Sequence, residues 1–236
     1  MERIRAVIDF GEKDRIGRLV IRRPEAGNAF TGAMVKQLHD AINAAAGRVD
    51  IAVLSGAGAD FTLGRDRQEP KSGAPFDSFS AISALNKAIA DFPGILVAAV
   101  RGRAFGLGVG LTMRADIAIA ADDAVFALDE VKLGIPPMFI MEEIFEHMPS
   151  KHALDAVLTS REFNADSALR LGLVSRVVRA ADFDGAVETY ISDLASRDRS
   201  VLLACKSYMR SVRALPVQAR SAFALVEQSR FALAKH

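Results

Sequence analysis

The apolar residues of this chain follow two regimes. Short apolar runs, Ile51-Ala-Val-Leu54, Ile95-Leu-Val-Ala-Ala-Val100 and the stretch Asp116-Ile-Ala-Ile-Ala120, lie near Gly, Pro or charged residues. Runs of that length between breakers predict buried strands. Elsewhere apolar positions recur at helical spacing. Met34, Leu38, Ala41, Ile42 and Ala45 follow Thr31, which predicts an N-capped helix ending near Gly47. A second helix is expected over residues 78–91. Residues 2–9 and 16–21 predict a hairpin turning at Gly11-Glu-Lys-Asp14. Further strand-like runs cover 124–128 and 172–178, helical ones 141–147 and 151–158, and Pro136 and Pro137 stiffen the loop 129–138. From Phe183 onward the spacing is helical, broken only at 196–200 and at Pro216. Residues 67–77, with Pro70, Gly73 and Pro75, read as the mobile segment.

The plan of strand, glycine-containing loop and helix occurs twice, at 51–91 and 95–114, which predicts an α/β core with its loops gathered at one end of the strands. The boundary is expected at 178/179, with 1–178 forming the core and 179–236 a helical region for assembly or cover.

The second of those loops is the densest in glycine: Gly106, Gly108 and Gly110 alternate where a helix begins. Backbone can approach a ligand closely there, and the first N–H groups of the helix lack intrahelical partners. The pattern suits a phosphate, an oxyanion, or simply close packing of helix on strand. No Lys-Ser/Thr follows the glycines as a P-loop requires, and Gly-x-Gly-x-Gly is not the dinucleotide fingerprint.

Composition narrows the partners. A net charge of +1 gives no reason to expect nucleic acid or an anionic membrane. Cys205 is the one cysteine, so no intramolecular disulfide forms, and His39, His147, His152 and His236 lack metal-ligand spacing. Cys205 itself falls in a helical pattern and reads as a core residue. No apolar run approaches a membrane span, and the first residues lack the apolar stretch of a signal peptide. The expectation is a soluble, cytoplasmic protein with no bound metal.

Five segments, in order, resemble the crotonase, or enoyl-CoA hydratase/isomerase, superfamily. They are Arg23-Pro-Glu-Ala-Gly-Asn-Ala, Phe61-Thr-Leu-Gly-Arg-Asp, Arg101-Gly-Arg-Ala-Phe-Gly-Leu-Gly, Phe126-Ala-Leu-Asp-Glu-Val-Lys-Leu-Gly-Ile and Leu171-Gly-Leu-Val-Ser-Arg-Val-Val. The resemblance implies a spiral of ββα units, a C-terminal helical trimerisation region, and a coenzyme A thioester as substrate rather than as a separate cofactor. It implies an oxyanion hole made by the backbone N–H groups of Arg65 and Leu107, with Gly106 beside the second. Ala26, Asn28, Asp66, Arg67 and Gln68 would line the route of the CoA moiety. Leu107 stands where the family commonly has Gly, which would strain the backbone if that position required positive φ.

The resemblance also locates the acids. Of the family's two hydratase carboxylates, one position falls on Gly110 and the other on Glu130; an alternative isomerase position falls on Met138. Glu130 is thus the matched carboxylate, with Asp129 as its neighbouring substitute. Moving a double bond needs one proton-transferring group, whereas hydration commonly divides its work between two. Isomerisation of an enoyl-CoA is therefore favoured over a single-carboxylate hydratase. A weakly active acyl-CoA-binding or scaffold protein is the third reading. On the residues alone, Glu130 could equally be a loop carboxylate paired with Lys132 or Arg114. Pro136-Pro-Met-Phe-Ile140 replaces a glycine-rich stretch, implying a bulkier acyl pocket, and the end of the chain at His236 implies a shortened cover over the site. Apolar residues including Leu194, Val201, Leu202, Leu203, Phe223, Leu225 and Val226 lead to the expectation of a homotrimer or a dimer of trimers.

Overall fold

A computed structural model describes residues 7–70 and 74–234. Residues 2–6 of the expected first strand and 71–73 of the expected mobile segment lie outside the described residues. In chain order the strands are β1 (Ile8–Lys13), β2 (Ile16–Ile21), β3 (Ile51–Gly56), β4 (Ile95–Val100), β5 (Arg103–Phe105), β6 (Ile117–Ala121), β7 (Val125–Ala127), β8 (Phe163–Asn164) and β9 (Arg176–Val178). The helices are α1 (Gly32–Ala45), α2 (Pro75–Asp91), α3 (Leu107–Arg114), α4 (Met138–His147), α5 (Ser150–Thr159), α6 (Ala165–Leu171), α7 (Phe183–Ala195), α8 (Arg199–Arg213) and α9 (Val217–Leu233).

The six-stranded sheet runs β1-β2-β3-β4-β6-β9; β1 and β2 are antiparallel and every later pair is parallel. A smaller sheet runs β5-β7-β8. Two isolated parallel bridges, Phe30 with Arg65 and Thr62 with Ala104, extend the small sheet's order backward through the loops after β2 and β3. Each turn of chain therefore places one segment in the large sheet and the next in the smaller layer, and then forms a helix. This is the winding expected of ββα units. The central β4 is buried at all six positions, which is why its sequence is an unbroken apolar run.

Local differences from the sequence expectations have local causes. The hairpin turns at Asp14-Arg15, not over residues 11–14: Lys13 pairs with Ile16, and both loop residues take left-handed angles, φ +52° and +60°. A two-residue loop of that hand matches the twist of the flanking strands, so Gly11 remains in β1 opposite Arg18. α2 starts at Pro75, earlier than the hydrophobic spacing indicates, because proline is favoured in a first helical turn. Thr31 caps α1 as expected, accepting from Met34 N at 3.2 Å.

The chain divides into two compact units, Met1–Ile191 and Ser192–His236. Most of α7 belongs to the first, where the Arg101 guanidinium lies 4.7 Å from the centre of the Phe183 ring. In the second unit, Tyr208 of α8 stacks on Phe223 of α9 with ring centres 5.5 Å apart. α8 and α9 bury no residue fully, and Cys205 is exposed rather than part of a core, because two helices alone leave most of their surface open. Leu225 (71%) and Leu233 (77%) are the most exposed apolar side chains there.

Candidate active site

Two glycine turns bring the loop after β3 against the start of α3. Gly64 takes φ +82°, and a Cβ built on it would lie 2.8 Å from Phe105 O and 3.4 Å from Leu107 N. Only glycine fits that approach. The loop is held on both sides: Phe30 N donates to Gly64 O (2.7 Å), Asp66 N to Phe30 O (2.9 Å), Thr62 N to Arg103 O (3.0 Å) and Phe105 N to Thr62 O (3.0 Å). Thr62 Oγ1 donates to Asn28 O at 2.7 Å and accepts from Gly64 N at 3.1 Å.

With these donors engaged, the N–H groups of Arg65 and Leu107 have no acceptor among the described residues. Leu107 opens α3, so its N–H is an orphan donor at the positive end of the helix dipole. Two such groups on adjoining backbone can stabilise a carbonyl oxygen that gains negative charge. Leu107 carries no strain. Gly106 takes the positive φ, +49°, one residue earlier, and Leu107 is helical.

Glu130 arrives at the same point from the loop after β7. Its Oε1 would lie 2.6 Å from a Cβ built on Gly106, immediately before Leu107. Its Oε2 is buried with no hydrogen-bond partner, and Glu130 forms no ion pair among the described residues. Loss of solvent pushes its pKa up, above the ordinary carboxylate range; its own backbone N–H and the Arg67 guanidinium pull weakly the other way. An unpaired, half-dry carboxylate whose proton affinity is raised by burial, next to free N–H donors, can take a proton and return it.

The partner of Arg114 is elsewhere. Its guanidinium, with the side chain 5% exposed, pairs with Glu142 and Glu143 of α4, each at 3.1 Å, and donates to Phe139 O. It also covers Gly110 one turn earlier: a Cβ there would meet Arg114 Nη1 at 3.2 Å and Ile140 Cγ1 at 3.6 Å. His147 at the end of α4 is half-buried, and its pKa is lowered by that burial.

The remaining site residues separate into scaffold and rim. Asn28 is wholly buried at φ +56°, and its side chain is committed to protein. Asn28 Nδ2 donates to Ala57 O (2.8 Å) and Asp60 O (2.7 Å), and Oδ1 accepts from Arg23 N (2.8 Å). Ala26 is half-buried in a 3-10 turn, Pro24–Ala26, on the same loop. Asp66 pairs with Arg23 at 2.6 Å, which holds its carboxyl below the usual range. Gln68 N donates to Asp66 Oδ1, leaving the Gln68 side chain exposed, and the exposed Arg67 pairs with Asp129.

Two supporting residues carry no sequence signal of their own. Asp60 accepts from the Arg103 side chain and from Arg103 N, fastening the loop after β3 to β5; Arg103 lowers its pKa. Glu69 accepts from Gly32 N with both oxygens, at 2.8 and 2.9 Å, and from Arg65 Nη2 at 3.1 Å, so it ties α1 to the same loop. Their partners lie 43 and 37 residues away in sequence for Arg103 and Gly32, beyond any local pattern. Among the described residues no group of three His, Cys, Asp or Glu side chains could hold a metal ion, and no helix is long and apolar enough to cross a membrane.

The chain is similar to known proteins over nearly its whole length. The family model described as enoyl-CoA hydratase/isomerase matches residues 11–232. A "Probable enoyl-CoA hydratase" of Mycobacterium leprae is 35% identical over 189 residues, covering 77% of this chain and 73% of that protein. The crystal structure of an enoyl-CoA hydratase from Mycobacterium smegmatis superposes with a TM-score of 0.88 at 25% identity, over 94% of this chain and 90% of that one. A "putative enoyl-CoA hydratase" of Thermobifida fusca YX in complex with CoA gives 0.87 at 26% identity, over 98% and 95%. The α/β winding, the paired glycine turns and these matches agree, and the chain belongs to the enoyl-CoA hydratase/isomerase family.

Proposed function

We propose that the protein binds an enoyl-CoA thioester and moves its double bond through a stabilised enolate. The thioester carbonyl oxygen accepts from the Arg65 and Leu107 N–H groups. Glu130 removes a proton from the α-carbon of a 3-enoyl-CoA; the electron pair spreads over a dienolate whose charge rests on that oxygen. Glu130 then returns the proton at the γ-carbon, leaving a 2-enoyl-CoA. Removing one oxyanion donor typically costs about 3 kcal/mol of transition-state stabilisation.

The observation that carries this reading is the Glu130 carboxylate, buried and unpaired beside the free N–H of Leu107, while Gly110 offers no second carboxylate and is covered by Arg114. A CoA-bound neighbour of the same fold supports the substrate class. A single-carboxylate hydratase is the second reading, favoured by the hydratase names of the similar proteins. The exposed apolar side chains of α8 and α9, Val217, Leu225, Val226 and Leu233 among them, support self-association as a homotrimer or a dimer of trimers. Sedimentation as a monomer at micromolar concentration overturns that part.

The test is a turnover screen over 2-enoyl-CoA and 3-enoyl-CoA thioesters of increasing chain length, repeated with Glu130→Gln. Interconversion of the two double-bond positions, lowered by roughly 10² to 10⁴-fold in the variant with thioester affinity kept, is the expected result. Production of 3-hydroxyacyl-CoA in place of isomerisation selects the second reading. Binding without turnover selects an acyl-CoA-binding or scaffold role. Unchanged turnover in Glu130→Gln removes Glu130 from the chemistry.

A further inference from the structure

Glu130 does not face the turn of α3 alone. A Cβ built on Gly106 would meet Glu130 Oε1 at 2.6 Å and Asp129 Oδ1 at 3.6 Å, so two consecutive carboxylates flank one glycine. Like charges so placed raise one another's pKa. The Asp129 side chain is 18% exposed, and the cation paired with it is Arg67, which comes from the segment following the first oxyanion loop. From the elements packed against this corner, the charged groups facing Glu130 among the described residues are Asp129 and Arg67; α3 presents Gly106 and Leu107 there, and Lys132 on the next turn is exposed. The ion pair thus joins the two loops that carry the proposed oxyanion donor Arg65 and the proposed base.

We infer that Arg67 and Asp129 are a positioning pair that sets the pH at which Glu130 works. Each charge masks the other: Arg67 keeps the ionised Asp129 from suppressing the Glu130 carboxylate, and Asp129 keeps Arg67 from holding Glu130 ionised and too weakly basic. Arg67 pulls the Glu130 pKa downward, the direction its half of the pair requires, while the Asp129 half rests on the shared position of the two carboxylates against Gly106. The inference rests on the proton-shuttle reading of Glu130 for its effect on turnover, but the charge balance itself is independent of that reading.

The sign follows from which charge is left. In Asp129→Asn the Arg67 cation is unmasked, the Glu130 carboxylate is favoured, and its pKa falls. In Arg67→Gln the Asp129 anion is unmasked, and the pKa rises. A base must be ionised to act, so the acid limb of kcat measured at saturating thioester moves to lower pH in the first variant and to higher pH in the second. Each shift should be about half a pH unit to one unit, below the full effect of a contact charge because Arg67 is half exposed. The double variant, neutral at both positions, returns the limb close to its parent position.

The experiment measures these kcat–pH profiles on the full chain. In parallel, isotope-edited infrared titration follows the Glu130 carboxyl, identified by subtracting the Glu130→Gln spectrum, without needing turnover. Opposite shifts in the single variants and their cancellation in the double one support the pair. Coincidence of either single variant's Glu130 titration with the parent, or movement of both in one direction as a general loosening of the loops would give, overturns it. Normal turnover in Glu130→Gln alongside opposite infrared shifts would sink the proton-shuttle reading while leaving the charge pair standing.

Discussion

The carboxylate of Glu130 rests on the bare α-carbon of Gly106, at a spot where a Cβ would stand 2.6 Å from Oε1. That separation is below any real contact of a Cβ, and Gly106 also takes φ +49° with ψ −110°, a combination costly for other residues. Gly106→Ala must therefore displace Glu130, the turn, or both. Turnover should fall by roughly 10²-fold or more, as for loss of general-base catalysis, and stability by about 1–3 kcal/mol for the strained backbone. Steady-state kinetics with urea unfolding check both; an alanine variant with parental kinetics would mean the contact is not what orients the Glu130 carboxylate.

Backbone and side chain separate at the loop after β3, where the proposed oxyanion donor of Arg65 lies. Arg65→Ala leaves the main-chain N–H in place and removes the contact with Glu69, so turnover should change less than about tenfold, the effect of losing one partly buried ion pair. Gly64→Ala leaves every polar group in place, yet its Cβ would stand 2.8 Å from Phe105 O at a φ of +82°. The loop must then move away from β5, and turnover should drop by roughly 10² to 10³-fold, as when an oxyanion donor is lost. Equal effects of the two substitutions would argue that the Arg65 side chain, rather than its N–H, does the work.

Much of this arrangement is legible along the chain because it depends on glycine and on apolar runs. Gly64 and Gly106 stand where backbone meets backbone, and β4 is apolar at every position because both of its faces are covered. What is not legible depends on distant partners. β5 is a three-residue strand beginning with a charged Arg103, and it exists because β7 and the Thr62 bridge flank it, not through any local pattern. Asn28 reads as a ligand-lining residue, yet its amide is consumed in joining the 23–30 and 57–60 loops. Arg114, which by composition could have neutralised Glu130, instead finds Glu142 and Glu143 about eight helical turns' worth of sequence later, between α3 and α4.

The raised pKa of Glu130 has a consequence for stability as well as for rate. Its folded-state pKa lies above the unfolded value, near the ordinary 4.5, because burial disfavours the anion. Its contribution to stability is thus fully present below that ordinary value and is lost as pH rises through the folded pKa. Glu130→Gln cannot ionise and does not suffer the loss. The variant should unfold at higher temperature than the parent at neutral pH, with the gap closing as pH falls through the folded pKa toward 4.5. Thermal melts at a series of pH values check this; a gap that widens toward acid pH would contradict a buried, unpaired carboxylate.

The covered position at Gly110 gives the most demanding prediction, because it asks whether the proposed preference for isomerisation over hydration rests on a missing second carboxylate. A glutamate placed at 110 would start with its Cβ 3.2 Å from Arg114 Nη1, one helical turn away on the same face of α3. The Arg114 side chain is 5% exposed, so the new carboxylate would be clamped in a nearly dry ion pair, its pKa depressed and its proton unavailable. Gly110→Glu alone should therefore leave hydration of 2-enoyl-CoA at the parental level. Adding Arg114→Met removes the clamp while keeping an apolar side chain of similar length, and Glu142 and Glu143, at 51% and 36% exposure, remain solvated without their partner. The double variant should then form 3-hydroxyacyl-CoA at least tenfold faster than the parent, a fraction of the roughly 10² to 10⁴-fold that a positioned acid or base supplies. Chromatographic measurement of that product, with circular dichroism to establish folding, decides the matter. If Gly110→Glu alone hydrates as well as the double variant, Arg114 is not what disables the position. If a folded, isomerising double variant still fails to hydrate, the missing carboxylate is not what separates the two reactions in this chain.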